Sequence, residues 1–95
     1  MTRFLVTYDL VGTSETSQDY HRLIEKIKSY SSWGKVQKSV WLIKTSRSSE
    51  QVFQDLSARM DSDDRLFIVE VNPNAWWINE ICERKWLREF FGFSV

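Results

Sequence analysis

The sequence predicts an α+β domain of ferredoxin-like arrangement, a βαββαβ sandwich extended by an additional C-terminal helix. Stretches in which apolar and polar residues alternate are separated by stretches in which apolar residues recur every three to four positions. The first pattern is typical of strands and the second of helices, and their order is β-α-β-β-α-β before the last helix. Four strands with two crossover helices on one sheet face form this arrangement.

The first half of the domain is predicted from two adjacent patterns. Residues 3–9 alternate as a strand that ends on Asp9. A helix follows, and its apolar row has helical spacing. The row consists of Tyr20, Leu23, Ile24, Ile27 and Tyr30. Gly34 is expected to end this helical region, since glycine commonly follows the C-terminus of a helix.

The second half repeats the alternation. Residues 35–45 are rich in β-branched and aromatic residues, which predicts two short strands with a tight turn between them. Ser48 and Gln51 stand at the spacing of a capping box, which opens a second helix. The residues expected to be buried on that helix are Val52, Phe53, Leu56 and Met60. A strand over residues 66–71 completes the pattern.

A last helix is predicted from about Trp76 to Phe91, because apolar residues recur there every four positions. These residues are Ile78, Cys82, Trp86 and Phe90, flanked by Ile81, Leu87 and Phe91. This Trp-rich helix, residues 76–91, carries more apolar surface than a solvated terminal helix does. We therefore expect it to cover its own sheet or to contact another protein.

Both faces of the predicted sheet carry apolar residues. The residues expected under the two crossover helices are Phe4, Val6, Phe67, Val69 and Val71. The opposite face then presents Leu5, Leu66 and Ile68, and such a face needs a cover. The candidates are the C-terminal helix and the same face of a second copy. Isologous dimers are the commonest assemblies of this kind, so we expect a homodimer.

Length and composition exclude several classes of protein. The 95 residues form one domain, 1–95, with its core in residues 3–72, and 42% hydrophobic residues are typical of a compact fold. Cys82 is the sole cysteine, which excludes an intramolecular disulfide and a multi-cysteine zinc site. The sequence shows no signal peptide and no apolar run of membrane-spanning length, so we expect a cytoplasmic protein without a membrane partner.

The charge is balanced overall but uneven along the chain. A net charge of zero argues against a protein that coats nucleic acid. Seven basic residues nevertheless stand in the stretch from Arg22 to Arg47, both included, against the single Glu25. The candidates for weak contacts with the phosphates and bases of RNA or DNA are Lys35, Lys38, Lys44, Arg47 and Trp33. An equally weighted alternative is that Trp41 lies in the core and the lysines protect an edge strand from aggregation.

The acidic residues and the histidine each have two interpretations. Asp9 can cap the loop that follows its strand, or it can act as a metal ligand and catalytic residue. For Asp61, Asp63 and Asp64, a solvated turn is favoured over a metal site. His21 is expected at the surface, with a role as general base as the alternative.

Three stretches of the chain resemble a known family. These stretches, Val6-Thr-Tyr-Asp9, Val36-Gln-Lys-Ser-Val40 with its following aromatic residue, and Asp64-Arg-Leu-Phe-Ile-Val69, are similar to the CRISPR-associated Cas2 family. The likeness spans about residues 3–71. The Trp-Leu-Ile-Lys-Thr strand and the tryptophan-bearing C-terminal segment resemble more closely the small relatives labelled SinR-family proteins.

This resemblance implies a ferredoxin-like homodimer that is a metal-dependent endonuclease in some members. In CRISPR systems it implies a scaffold that binds duplex DNA beside an integrase. Asp9 matches the family's strand-end aspartate, and the two copies of it in a dimer would share one Mg²⁺. A hydrated Mg²⁺ held by carboxylate oxygens polarises a phosphate and lowers the pKa of a bound water.

The sequence is consistent with two functions. The first is a nucleic-acid-associated protein in a defence or mobile-element context, either a Mg²⁺-dependent nuclease or a non-catalytic binder derived from one. The second is a non-enzymatic interaction module, such as a toxin–antitoxin or assembly component, with a protein partner bound by the C-terminal helix. Because no complete catalytic constellation is visible, binding is the firmer expectation.

Overall fold

In the residues described by the computed structural model, 1–11, 18–72 and 74–92, the chain forms one four-stranded sheet and three helices. The elements are β1 (Thr2–Asp9), α1 (Gln18–Ile27), β2 (Ser32–Gln37), β3 (Val40–Thr45), α2 (Ser49–Ser57), β4 (Arg65–Glu70) and α3 (Arg84–Phe90). The strand order is β2-β3-β1-β4, and every neighbouring pair is antiparallel. The fold is therefore of the α+β class. No helix in the described ranges is long and apolar enough to cross a bilayer.

Helices α1 and α2 cover one face of the sheet, called here the first face. Its buried cluster consists of Phe4, Val6, Tyr8, Leu23, Ile27, Tyr30, Trp41, Ile43, Val52 and Leu56. Helix α2 begins at the predicted capping box, because the Ser48 hydroxyl accepts a hydrogen bond from the backbone N–H of Gln51 and the Gln51 side chain accepts one from that of Ser48. The prediction for Phe53 is wrong, since this side chain is 49% exposed. It lies one position past Val52, which turns it about 100° around the helix and away from the sheet.

The faces predicted for β4 are reversed in the structure. Ile68 lies opposite Val6 and packs with the first-face cluster, whereas Phe67 is 62% exposed and Val69 is 41% exposed on the second face. Directly paired residues of antiparallel strands share a face, so this register fixes the assignment. A shift of one residue exchanges the faces of a whole strand. Val71, also predicted under the helices, packs with the second-face cluster instead.

The second face is covered in part by the chain's own C-terminal residues. Its buried cluster consists of Val36, Leu42, Leu87, Phe90 and Phe91. The predicted helix from residue 76 is wrong in its first half, because α3 begins only at Arg84. Residues 74–83, the C-terminal segment, are not helical: Asn79 has a positive φ of 55°, and the backbone N–H of Ile81 donates to the carbonyl oxygen of Val36 on β2. An amide bonded to the sheet cannot take part in a helix.

Three contacts hold α3 on the sheet. The Trp86 ring lies against Gly34, which belongs to β2 and does not end the preceding helical region as predicted. The Arg3 guanidinium donates a hydrogen bond of 2.6 Å from Nε to the carbonyl oxygen of Phe90. The Lys44 ammonium lies 5.2 Å from the centre of the Phe90 ring. Both cations therefore lie at the C-terminus of α3, where positive charge is favourable.

On the first face, Asp55 of α2 contacts three side chains from outside its own helix. Its carboxylate accepts two hydrogen bonds from the Arg47 guanidinium, at 2.7 and 3.0 Å, and one from the Tyr30 hydroxyl at 3.0 Å, while the Lys26 ammonium lies 4.0 Å away. Burial works to raise the pKa of the Asp55 carboxyl, but the hydrogen bonds from Arg47 and Tyr30 and the nearby positive charges outweigh it and hold that pKa below its usual value. Burial, helped by Asp55, raises the pKa of Tyr30.

The packing of Trp86 on Gly34 gives a stability prediction. A methyl group added by Gly34→Ala would lie under 3.0 Å from three atoms of the Trp86 ring. We expect the free energy of unfolding to fall by about 1–3 kcal/mol, the usual cost of overpacking, as measured by chemical denaturation. In a Trp86→Ala background the same substitution should cost far less. An equal loss in both backgrounds would show that the Trp86 ring is not the cause of the destabilisation.

The Asp55 contacts give a pH-dependence prediction. Asp55→Ala should lower the free energy of unfolding at pH 7 by about 1–3 kcal/mol, because it leaves the hydroxyl of the buried Tyr30 without this acceptor. Since the pKa of Asp55 is lowered in the folded state, its contribution is present above pH ~4 and is lost as the pH falls further. Chemical denaturation at several pH values should therefore show that the free energy of unfolding falls less toward acid pH in Asp55→Ala than in the wild type. The exposed Asp63→Ala is the control, and an unchanged acid slope in Asp55→Ala would refute the assignment.

Candidate functional site

Asp9 lies at the end of β1 on the second face of the sheet. Strand alternation places it with Leu5 and Thr7, and its direct partner on β4 is Arg65. The carboxylate Oδ2 and the Arg65 Nη1 atoms are 2.7 Å apart, and the two side chains are 64% and 71% exposed, respectively. An ion pair this exposed contributes at most about 1 kcal/mol to stability. The carboxylate is therefore open to solvent and held by a contact that breaks easily.

The acidic turn beside Asp9 has a structural role. One Asp64 carboxylate oxygen accepts a hydrogen bond of 2.9 Å from the backbone N–H of Val11, and the other accepts one of 2.8 Å from that of Asp61. Asp64 thus ties the residues after β1 to the turn before β4, which supports the predicted solvated turn. His21 is exposed on α1, with its ring 6.0 Å from that of Tyr20 in an edge-to-face contact.

The carboxylates of one chain do not form a complete metal site among the described residues. No group of three or more His, Cys, Asp or Glu side chains is close enough there to hold an ion. Mg²⁺ keeps several waters and commonly binds through only one or two protein carboxylates. Asp9 fits the role of one such ligand, provided that its contact with Arg65 opens.

Basic and aromatic side chains meet on the first-face side of β2, which is an edge strand. Trp33 is 40% exposed, and its ring lies 6.1 Å from that of the buried Trp41. The Lys28 ammonium lies 5.3 Å from the centre of the Trp33 ring, and the Lys35 ammonium lies 5.8 Å from that of Trp41. We call Lys28, Trp33 and Lys35 the β2 edge cluster. It offers one aromatic surface and two positive charges.

The other predicted contact residues lie elsewhere. Lys38 is exposed in the turn after β2. Lys44 lies on the second face under α3, where burial, with a smaller effect from Arg3, lowers its pKa. Arg47 is bound by Asp55 through two hydrogen bonds. Of the five predicted residues, the structure therefore brings only Trp33 and Lys35 into one cluster.

Two residues of these sites are not among those predicted from the sequence. Lys28 follows the last turn of α1, and the short connection to β2 is the signal that could have placed it beside Trp33. Arg65 is 56 residues from Asp9 in the chain. Their opposite charges at the ends of two predicted strands are a signal for the pair. The register of these strands must be known before the two residues can be placed opposite each other.

A comparison with protein-family models gives a match over most of the chain. The model described as CRISPR associated protein Cas2 matches residues 1–77. The match includes Asp9, the β2 edge cluster and all four strands. Helix α3 and most of the C-terminal segment lie beyond it.

Proposed function

This chain belongs to the family of CRISPR associated protein Cas2, and from that membership we propose that it is a nucleic-acid-associated, Mg²⁺-dependent nuclease of a CRISPR or related mobile-element system. The observation that carries the proposal is the family match over residues 1–77, together with the exposed carboxylate of Asp9 at the end of a strand inside it. The strand order β2-β3-β1-β4, with α1 and α2 on one face, supports assignment to the ferredoxin-like class. The likeness to SinR-family relatives stays a prediction.

The proposed active form is a homodimer. Helix α3 packs with residues of β2 and β3, while Phe67 and Val69 on β4 stay exposed on the same face. Exposed apolar residues next to one another favour association. In a two-fold dimer the same patch meets its own copy, so Asp9, on the same face, is brought toward the Asp9 of the partner. The dimer would thereby supply a second carboxylate for the ion.

Each residue of the site has a chemical role in this proposal. Asp9 and its copy would hold the ion, which when bound supplies Lewis-acid chemistry and a more acidic water. When Asp9 turns to the ion, the Arg65 guanidinium loses its partner at 2.7 Å. A guanidinium matches the geometry of phosphate oxygens, so Arg65 would then hold the phosphate that is cleaved.

The β2 edge cluster is the proposed contact for the nucleic-acid strand. A base stacks on the exposed ring of Trp33, while Lys28 and Lys35 lie near backbone phosphates, with Lys38 as a further contact. Stacking needs an unpaired base, so the cluster favours single-stranded RNA or DNA. Because the net charge is zero, affinity is expected to be micromolar or weaker, on the order of non-specific binding at physiological salt.

A non-enzymatic interaction module is the second candidate function. Ile78 and Ile81 are exposed on the C-terminal segment, outside both hydrophobic clusters. Apolar side chains in this position favour contact with a protein partner. The two functions differ in their dependence on Asp9, because a module would keep its partner when this carboxylate is removed.

Cleavage should require both the Asp9 carboxylate and the dimer. Asp9→Asn should abolish Mg²⁺-dependent cleavage of short RNA and DNA without weakening their binding. Phe67→Asp should shift the protein from dimer to monomer in light scattering, because it buries charges at the interface, and cleavage should be lost with it. Arg65→Gln should allow Mg²⁺ to bind at a lower concentration, because Asp9 is freed from its ion pair. It should nevertheless reduce cleavage, because the contact with the phosphate is removed.

Phe53→Asp is the matched control for the dimer, because Phe53 is also a half-exposed phenylalanine but lies on α2. It should leave both the oligomeric state and cleavage unchanged. A wild-type protein that is monomeric at high micromolar concentration and still cleaves would refute the dimeric site. Cleavage that persists in Asp9→Asn would remove Asp9 from the proposal.

Binding to the β2 edge cluster should depend on stacking and on salt. Trp33→Ala should weaken binding of a short single strand by about 1–3 kcal/mol, the value of one base stack. Lys35→Glu should weaken it too and reduce the slope of log K against log salt by at least about 0.7, the contribution of one phosphate contact. Fluorescence anisotropy at two salt concentrations measures both effects. Lys85→Glu on α3 is the control for charge, and equal losses from both glutamate variants would contradict a local site.

A further inference from the structure

A cavity of about 850 Å³ lies between the C-terminal segment and α3. Its size is within the range of small-molecule sites, about 300–1,000 Å³. All but four of its lining residues lie beyond residue 77, where the family match ends. The cavity is therefore a feature of the C-terminal part of this chain, separate from Asp9 and from the β2 edge cluster.

Three kinds of side chain converge on this cavity. Trp76 lines it and is fully exposed, at 100% of its accessible surface. Asn74 and Asn79 contribute carboxamides, and Arg84 and Arg88, one helical turn apart on α3, contribute guanidinium groups. An indole ring stacks on a planar base, a carboxamide pairs with the donors and acceptors of a base edge, and a guanidinium binds phosphate through two hydrogen bonds.

We propose that this cavity binds a nucleoside phosphate, with the base stacked on Trp76 and the phosphate held by Arg84. The exposed ring supports this occupant, because an indole in full contact with water gains free energy when an aromatic base covers it. The positive charge of the Arg84 guanidinium favours an anion over a neutral aromatic ligand. A free nucleotide and the phosphorylated end of a nucleic-acid strand carry the same groups, so both belong to the proposed ligand class.

One acidic residue in the lining disfavours anion binding, so its replacement should increase the affinity for a nucleotide. Glu80 also lines the cavity, and its carboxylate accepts a hydrogen bond of 3.4 Å from the side chain of Gln37. The Gln37 carboxamide is neutral, so the Glu80 carboxylate keeps its negative charge and repels a phosphate in the same cavity. Replacing Glu80 with glutamine removes this repulsion, so Glu80→Gln should bind a nucleotide more tightly than the wild type does.

The experiment is a titration of the full chain with adenosine 5′-monophosphate, followed by the indole N–H signals in NMR spectra. The signal of Trp76 is identified by its loss in Trp76→Phe. It should shift and saturate with the nucleotide and shift much less with adenosine or inorganic phosphate alone. Arg84→Gln and Trp76→Ala should each raise the Kd by at least about fivefold, the lower limit expected for one lost stack or charged contact.

Two substitutions at exposed positions outside the lining serve as controls. Lys85→Gln removes a positive charge from the same helix, and Phe53→Ala removes an aromatic ring from α2; neither should change the Kd. The proposal is overturned if the Trp76 signal does not shift at millimolar nucleotide, if adenosine shifts it equally, or if Arg84→Gln binds as the wild type does.

Comparing a short 5′-phosphorylated oligonucleotide with its 5′-hydroxyl form separates the two ligand sources. Tighter binding of the phosphorylated strand than of the mononucleotide assigns the cavity to strand ends, and the reverse order assigns it to free nucleotides. Both outcomes support a nucleoside-phosphate site. Asp9→Asn and Trp33→Ala should leave the mononucleotide titration unchanged, so failure of this site is distinguishable from failure of the proposed nuclease.

Discussion

The sheet is apolar on both faces, and the need to cover both governs the rest of the structure. The central strand β1 shows the constraint, because Val6 faces α1 and α2 while Leu5 faces the opposite way. Two crossover helices bury the first face along its core. Among the residues that the structure describes, the second face is covered by α3, a helix of seven residues, and by the C-terminal segment. Its cover ends before β4, where Phe67 stays exposed beside the strand that carries Asp9.

The position of α3 determines which part of the second face stays open. Gly34 allows the Trp86 ring to approach the β2 backbone, and Arg3 and Lys44 hold the end of the helix over the sheet. These contacts place the helix over β2 and β3 rather than over the half of the sheet where Asp9 lies. Lys44 thus belongs to the packing of the molecule, whereas its sequence neighbours made it a candidate for binding nucleic acid. The same contacts place α3 as one wall of the cavity beside Trp76. The position of this helix therefore determines both the cavity and the part of the second face that stays exposed.

Local patterns were sufficient to predict most elements but not the faces they present. The capping box at Ser48 and the apolar row of α1 depend on residues within a few positions of each other, and both are seen in the structure. Strand β4 differs because Leu66–Val69 is apolar throughout, so no alternation shows which side is inward. The C-terminal segment has helical spacing, yet its Ile81 amide bonds to Val36 on β2. Neither outcome can be read from neighbouring residues.

The same limit applies to the candidate sites. Asp9 could be selected from the sequence because a carboxylate at a strand end is a local signal, whereas Arg65 becomes its partner only through the register of β1 and β4. The basic stretch shows the reverse problem. Successive residues of a strand point to opposite faces, so Lys35 and Lys44 lie on different sides of the sheet. Other charges are neutralised by neighbouring side chains, as Arg47 is by Asp55. A run of positive charge in the sequence is therefore not a continuous positive surface in the fold, and Lys35 is the predicted lysine that lies beside Trp33 in the β2 edge cluster.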